Sequence, residues 1–516
     1  MVAFQTVLVL LFGAALLSMQ ARRISVPYPT LLALGGMAVA FVPGLHPLEI
    51  PPELILAIFV APVLLDASYD TSWRDLRQNW RPVLSLVLFA VGLTTIAVAF
   101  AARFFFPDMP WAVAIALGAM LAPPDAVAAL AVLKQVDPPY RLRNILEGEG
   151  LLNDASSLLI YNLALGAVAT HSFSAVSAIP AFFLVTFGSV AAGWGLAKIV
   201  GKLTKGIDDA PTAIIIEFVL TFGVWLLAEH FKLSGVVTIV VFGLTAARRS
   251  AQALSAHVRI PSFATWESAT FVLNVLAFTL IGLQIKPILE GEGLRGADRF
   301  HQILIALAIL AVVIVVRLAW VLIYGLTQWL THRKTQGGEA KSPGMMAKSG
   351  VLIGWSGMRG IVTLAAALAL PENFPYRDFI LLTAFCVVQG TLIIQGLTLR
   401  PLLLWLRLPP DNTVESEIAL ARKAALKAAM AQLEGEQSPA AERLKIQYQE
   451  SLQQTRDGGD PRNSPDNVLR QQIVPSSREA IEELRRTGRI GDDAYRTVEQ
   501  ELDWIELSTN AELDSS

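Results

Sequence analysis

Long apolar runs follow one another from residue 3 to residue 406, with short polar stretches between them. Each run is close to the roughly 20 residues that an α-helix needs to cross a bilayer core. The runs are continuous and do not alternate between apolar and polar residues, which favours helices over a membrane β-barrel. The chain is therefore predicted to be an all-α polytopic membrane protein. The spans of this prediction, about 13 in all, are 3–19, 29–44, 51–67, 82–104, 111–133, 143–169, 175–200, 212–229, 233–247, 262–286, 302–330, 347–370 and 377–406.

The basic residues of the short loops are distributed unevenly between the two sides of this topology. With the N-terminus outside, most of them fall on the inner side, as Arg22, Arg74 and Lys202 do. Arginine and lysine accumulate in cytoplasmic loops. A missed or additional span would reverse the bias from that point onward, so its persistence supports the count. The pattern predicts a multi-pass protein of the inner membrane with a cytoplasmic C-terminal segment.

The residues after 408 have a different composition. Charged, helix-forming stretches at 415–435, 439–455, 476–489 and 492–506 are separated by Gly-, Asn- and Pro-containing breaks at 457–460 and 463–465. Two domains are therefore predicted: a transmembrane domain at 1–408 and a cytoplasmic helical tail at 409–516. Solvated helices joined by a flexible linker are the expected form of the tail, and a regulatory or dimer-contacting module is the alternative.

Composition agrees with the membrane prediction. Apolar residues make up 54% of the 516 and charged residues only 16%, with a mean hydropathy of +0.52, whereas soluble domains have roughly 25% charged residues. A net charge of −2 gives no indication of a nucleic-acid partner. The single cysteine, Cys386, and the six histidines show no metal-binding spacing, so no cofactor is expected.

Two of the predicted spans contain residues that interrupt a helix. Span 5 contains Pro123-Pro124-Asp125, and consecutive prolines remove helical hydrogen bonds and clash with the preceding turn. Span 12 contains Gly354-Trp355-Ser356-Gly357-Met358-Arg359-Gly360, with three glycines around one arginine. Interrupted helices at corresponding places in two halves indicate the binding site of a secondary transporter. Spans 1–6 and 8–13 would be inverted repeats whose broken helices cross.

Ionisable residues are costly inside a membrane and usually functional. Glu217 and Glu267 lie near span ends, where a side chain reaches the interface. Asp154 lies instead in the middle of span 6, with Leu151-Leu152 before it and Ser156-Ser157-Leu158-Leu159-Ile160 after it. The ionisable residues that need an explanation within the predicted spans are Asp66, Asp125, Glu149, Asp154, Glu217, Glu267, Arg317 and Arg359.

The position of Asp154 predicts a specific chemistry. An aspartate deep in a membrane loses hydration, which favours its protonated form over its charged form. The ionised form binds a small cation together with neighbouring oxygen atoms, and the protonated form does not, so cation and proton compete. Asn153 supplies an uncharged amide beside it. One charge neutralised alternately by a proton or a cation predicts electroneutral exchange. At the broken helices, Asp125 suits a positive half-helix N-terminus and Arg359 a negative C-terminus.

Several segments, in the right order, resemble the monovalent cation:proton antiporter family, in particular the electroneutral sodium/proton exchangers of bacteria. The resemblance covers roughly residues 1 to 405. The segments that carry it are Leu64-Leu65-Asp66-Ala67, Pro123-Pro124-Asp125-Ala126-Val127, Glu149-Gly150-Leu151-Leu152-Asn153-Asp154, Ser234-Gly235-Val236-Val237, Trp266-Glu267 with Asn274, and Gly357-Met358-Arg359-Gly360.

The resemblance implies a homodimer in the membrane lipid and an elevator-like movement of spans 5, 6, 12 and 13. It implies that Asp154 binds the cation and the proton, that Asn153 supports this site, and that Asp66 lies near the ion path. It further implies a structural ion pair between Glu149 and Arg317 and places the charges of Asp125 and Arg359 near the helix crossing. Na⁺ is the expected cation, with K⁺ or Li⁺ as alternatives.

Two departures from the family pattern bear on the choice of cation. Pro124 replaces a hydroxyl residue and Gly150 replaces a serine, so two side-chain oxygen ligands are missing, although the Pro124 backbone carbonyl remains. Asp66 is also one methylene shorter than the usual glutamate. Asp154 remains, so exchange is still predicted while the identity of the cation stays open.

Three other functions are alternatives. A transporter of another ion or small solute, such as an anion, would need positive groups facing its substrate, whereas this site is rich in carboxylates. An intramembrane aspartyl protease would use Asp125 and Asp154 as a catalytic pair, but this leaves Asn153 and the interrupted helices unexplained. A cation channel would not need a residue that titrates. The chain is thus predicted to be a secondary transporter and not an enzyme.

Overall fold

The computed structural model describes residues 2–43, 51–133, 138–170, 175–207, 209–253, 255–291, 298–335, 343–409, 411–456, 460, 464–487 and 489–509. Every regular element within these ranges is helical. The α-helices are α1 Val2–Arg23, α2 Tyr28–Val39, α3 Pro52–Ile55, α4 Ala61–Asp70, α5 Trp73–Gln78, α6 Trp80–Leu84, α7 Val91–Phe105, α8 Trp111–Leu121, α9 Ala126–Leu133, α10 Tyr140–Thr170, α11 Ala175–Leu203, α12 Ala210–His230, α13 Gly235–Ala253, α14 Ala256–Leu283, α15 Ile285–Glu290, α16 Asp298–Thr335, α17 Pro343–Trp355, α18 Ile361–Leu368, α19 Arg377–Leu406, α20 Thr413–Leu433, α21 Pro439–Arg456, α22 Pro465–Arg486 and α23 Asp492–Thr509.

The helical and apolar character of the chain confirms the predicted fold class. Within the described residues, eight helical segments are long and apolar enough to cross a membrane. They are Trp80–Phe105, Trp111–Leu133, Tyr140–Thr170, Phe182–Leu203, Ala210–His230, Ala256–Glu290, Arg299–Leu330 and Arg377–Leu406. The higher count of spans and the inverted repeats stay predictions.

Two of the predicted spans contain π-helical turns that the apolar pattern did not predict. Leu56–Val60 separates α3 from α4, and Ser85–Ala90 separates α6 from α7. A π turn inserts a residue into an otherwise continuous helix and leaves the hydrophobic run unchanged. Hydropathy therefore identified these segments as helical but not their local geometry.

The chain divides into two compact units, Met1–Pro410 and Asp411–Ser516. In the first unit, α10 packs against both halves of the interrupted span 5, α8 and α9. A large apolar core surrounds these helices and includes much of α16 and α19. A second apolar cluster joins α4, α12 and α13. The helix that carries Asn153 and Asp154 is thus held from several sides by packed elements.

The second unit consists of α20 to α23, with α20 packed on α21 and α22 on α23. Its third helix begins at Pro465, directly after the predicted break, whereas the sequence predicted that this helical stretch starts at residue 476. The predicted start was wrong, because Ser464 caps a helix that begins at the next residue: its hydroxyl accepts a hydrogen bond from the Asn467 N–H (3.3 Å). Serine at the N-cap followed by proline is a common helix start.

Candidate functional site

The two interruptions predicted in spans 5 and 12 are present. The helix of span 5 stops at Leu121 and resumes at Ala126, with Pro123 and Pro124 buried between the halves. The helix of span 12 stops at Trp355 and resumes at Ile361. Non-helical backbone at such depth needs protein partners for its polar groups. The residues that form hydrogen bonds with the two interruptions therefore define the candidate site.

Each interruption supplies partners to the other. The Asp125 N–H donates a hydrogen bond to the Met358 carbonyl (2.6 Å). In the opposite direction, the Arg359 guanidinium donates to the Ala122 carbonyl (2.5 Å) through Nη1. A Cβ atom added to Gly360 would collide with the Asp125 carboxyl group, so a glycine is needed there for this close approach. The two broken spans therefore meet directly at their non-helical segments.

The charged side chains at the breaks lie at helix ends of the opposite partial charge. The Asp125 carboxylate accepts a hydrogen bond from the Val127 N–H (2.9 Å) in the first turn of α9. The Arg359 side chain reaches the carbonyl of Ala122, at the C-terminal end of α8. A carboxylate at a helix N-terminus and a cation at a C-terminus both stabilise the exposed backbone groups.

One face of α10 connects this helix to both broken spans. The Asn153 side-chain amide donates to the Pro124 carbonyl (2.8 Å), the Ser157 hydroxyl donates to Ala119 (2.7 Å), and the Tyr161 hydroxyl donates to Ala366 (2.8 Å). The three donors are spaced by four residues, which places them on one side of a helix. Ser157 and Tyr161 were not among the predicted site residues, and this spacing is the signal that would have identified them.

Asp154 lies next to this face and is only 8% exposed. Asp125 and Arg359 are close enough to interact with it electrostatically, with opposite signs. The neighbouring Asn153 is fully buried, and its Oδ1 atom accepts no hydrogen bond within the described residues. Asp66 is partly buried on α4, which packs against α10 and α13.

Glu149 and Arg317 form a two-pronged salt bridge one turn before Asn153. The two nitrogen–oxygen distances are 2.5 and 2.8 Å, and both side chains are 2% exposed. Arg317 also donates to the Ile353 carbonyl (3.2 Å). A Cβ atom on Gly357 would collide with the Arg317 side chain, so the glycines of span 12 make room for both Asp125 and Arg317. From the sequence, these glycines were predicted only to weaken the helix.

A small cavity lies between the salt bridge and the interruption of span 5. Pro124 and Gly150, which replace the two hydroxyl residues of the family pattern, both contribute to its wall. The full lining consists of Pro124, Asp125, Ala126, Ala129, Leu146, Glu149, Gly150, Arg317 and Ser356.

The glutamates near the predicted span ends lie elsewhere. Glu217 accepts a hydrogen bond from the Trp266 indole N–H (2.8 Å), which links α12 to α14. Glu267 is exposed. Neither side chain has a described contact with the broken helices.

Comparison with known proteins gives consistent matches. The model of the family described as "Sodium/hydrogen exchanger, transmembrane" matches residues 7–405. A sodium, potassium, lithium and rubidium/H⁺ antiporter of Bacillus pumilus is 33% identical over 396 residues, which are 73% of this chain and 58% of the relative. The chain thus spans less than two thirds of that relative's length. The low-affinity Na⁺/H⁺ antiporter NhaS1 of Synechocystis is 30% identical over 83% of this chain and 79% of its own.

A solved structure also matches. The sodium proton antiporter MjNhaP1 from Methanocaldococcus jannaschii superposes with a TM-score of 0.58 at 18% identity, covering 78% of this chain and 98% of that protein. At this identity the match shows a shared fold.

Proposed function

The chain belongs to the sodium/hydrogen exchanger family, and we propose on this premise that cation and proton compete at Asp154. The observation that carries the proposal is a buried aspartate beside two interrupted helices. Burial favours the neutral state of a carboxyl group, and either a proton or a bound cation provides it. Cation binding therefore releases the proton, and proton binding releases the cation.

Asn153 and Pro124 supply the uncharged oxygens of the proposed site. The Asn153 amide nitrogen is held by the Pro124 carbonyl, which fixes the orientation of the amide. Its Oδ1 atom carries no hydrogen bond within the described residues and is free to bind a cation. The Pro124 carbonyl has a second lone pair after accepting from Asn153. Alkali cations prefer such hard oxygen ligands, as other hard cations do.

The neighbouring carboxylates have partners of their own, which supports an electroneutral exchange. Glu149 is neutralised by Arg317, and Asp125 is held by the first turn of α9. Asp154 then carries the charge that alternates between one proton and one monovalent cation. We propose Na⁺ as this cation, since relatives are named Na⁺/H⁺ antiporters, and K⁺ or Li⁺ as alternatives because the Bacillus relative is named for these ions as well.

The proposed setting is a homodimer in the inner membrane, with the N-terminus outside and the tail from residue 409 in the cytoplasm. The distribution of arginine and lysine over the loops supports this orientation. Asp66, on a helix packed against α10, is proposed to lie near the ion path. Mass photometry of the purified protein would test the dimer, and protease accessibility of the tail in inside-out vesicles would test the orientation.

Transport by purified protein in liposomes tests the central proposal. An imposed pH gradient is followed with an enclosed pH-sensitive dye, and pulses of NaCl, KCl or LiCl are added outside. The parent protein should dissipate the gradient without a membrane potential, and Asp154→Asn should abolish the response. Asp108→Asn, which removes an exposed carboxylate between α7 and α8, is the matched control. Full activity of Asp154→Asn would refute competition at this residue, and a rate that follows applied voltage would refute electroneutrality.

A further inference from the structure

Gly150 faces the first residue of the second half of span 5. A Cβ atom at position 150 would lie less than 3.0 Å from the Cβ atom of Ala126, a separation that real Cβ atoms essentially never show. Gly150 lies in the middle of α10, where glycine is intrinsically unfavourable compared with alanine. Close packing of α10 against the start of α9 accounts for a glycine at this position.

The contact lies beside the proposed ligands. Gly150 is one helical turn before Asn153 and Asp154, and Ala126 is two residues after Pro124. The Asn153–Pro124 hydrogen bond joins the same two segments (2.8 Å). Any change in the distance between α10 and the start of α9 therefore changes the distance between the Asp154 carboxylate and the Pro124 carbonyl.

We infer that Gly150 and Ala126 are a pair of positioning residues that sets the spacing of the cation site and thereby its preference among alkali cations. The inference rests on the proposed function. Small cations need oxygen ligands close together, and larger ones tolerate a wider arrangement, because cavity size and ligand position both contribute to ion selectivity. The two missing hydroxyl ligands make the backbone carbonyl of Pro124 more important in this chain, and its position is fixed by packing and not by a side chain of its own.

Gly150→Ala is the perturbation that tests this role. Ordinary contact between two carbon atoms requires at least 3.5 Å, so the added methyl group must separate the two segments by roughly 1 Å. A displacement of this size should raise KM for Na⁺ by about tenfold or more, since ligand geometry is sensitive to shifts of 1 Å. KM for Li⁺ should rise more than KM for Na⁺, and KM for K⁺ should rise least. The maximal rate at saturating cation should change little.

The chain offers a compensating change and a matched control. Ala126→Gly removes the atom with which the new methyl group collides, so the double variant A126G/G150A should return KM for Na⁺ to within about twofold of the parent value, the usual error of additive free energies. Gly166→Ala places a methyl group on the same helix where nothing lies within 4 Å, and it should leave KM unchanged. A general loss of folded protein would lower the maximal rate without changing the order of KM among the three cations.

The transport assay in liposomes, repeated over concentration series of LiCl, NaCl and KCl, decides the matter. A KM in G150A that is raised unequally among the three cations and that A126G restores supports the inference, whereas an equal rise for all three cations overturns it. An unchanged KM in G150A overturns it, and so does a defect in KM or in folding that A126G does not repair. Failure of the proposed function would be visible separately, because the parent protein itself would then show no cation-driven proton flux dependent on Asp154.

Discussion

The Glu149–Arg317 salt bridge predicts a large stability effect from a single substitution. Both side chains are 2% exposed and share two hydrogen bonds of 2.5 and 2.8 Å. If Glu149 is replaced by leucine, the Arg317 charge stays buried with the Ile353 carbonyl as its remaining described acceptor. Removing one member of a buried ion pair costs about 3–5 kcal/mol, because water cannot replace the lost partner.

The double variant Glu149→Leu/Arg317→Met distinguishes this cause from a loss of packing. Replacing both members of a buried pair by apolar residues is often neutral or stabilising. The free energy of unfolding of the double variant should therefore be closer to the parent value than that of either single variant. The exposed Arg143–Glu147 pair on the same helix, with nitrogen and oxygen 2.6 Å apart, is the matched control. Glu147→Gln should cost less than about 0.5 kcal/mol.

Equilibrium unfolding in mixed micelles, with a rising fraction of SDS and circular dichroism as the signal, measures these differences. A Glu149→Leu variant no less stable than Glu147→Gln would refute the reasoning. The same conclusion would follow if the double variant lost the sum of the two single effects, since the pair would then contribute independently.

Three further outcomes are expected from contacts described above. Tyr161→Phe should lower the free energy of unfolding by about 1 kcal/mol through the loss of one buried hydrogen bond, and a loss below the error of the micelle titration would contradict this. Gly360→Ala should displace the Asp125 carboxyl group and lower the transport rate in liposomes. Transport at the parent rate would show that close packing of position 360 against Asp125 is not needed for transport. Burial opposes ionisation of Asp75, but hydrogen bonds from Tyr140 and Ser72, together with the charge and hydrogen bond of Arg74, outweigh it and hold the pKa of this carboxyl below its ordinary value. The stabilisation from this ionised group is present above the ordinary pKa of about 4 and is lost as pH falls through the lowered value, so the stability difference between parent and Tyr140→Phe should shrink between pH 7 and pH 3.

Local physical chemistry was enough to predict the features that depend on neighbouring residues in the chain. The break in span 5 follows from the consecutive prolines Pro123 and Pro124, which together remove helical hydrogen bonds and clash with the preceding turn. The helical segments follow from runs of apolar residues. Both are properties of a stretch of sequence alone, and both are present in the structure.

Features that depend on distant partners were not predictable in the same way. The Tyr161 hydroxyl donates to a carbonyl 205 positions away, and Gly360 is a glycine because Asp125 lies against it. For neither residue do the neighbouring positions in the sequence indicate the distant contact. The start of α22 was missed for a different reason: Ser464 and Pro465 were interpreted by composition, as a break, and not by their order, as a cap followed by the first helical residue.

The hydrogen bonds from α10 to the broken spans have a genetic consequence. Asn153, Ser157 and Tyr161 contribute side-chain donors, but every acceptor is a backbone carbonyl. A substitution on the acceptor side leaves the carbonyl in place, whereas a substitution on the donor side removes the bond. Mutations that remove these hydrogen bonds should therefore concentrate on α10. The side chains of the residues whose carbonyls accept the hydrogen bonds can vary within the limits of packing.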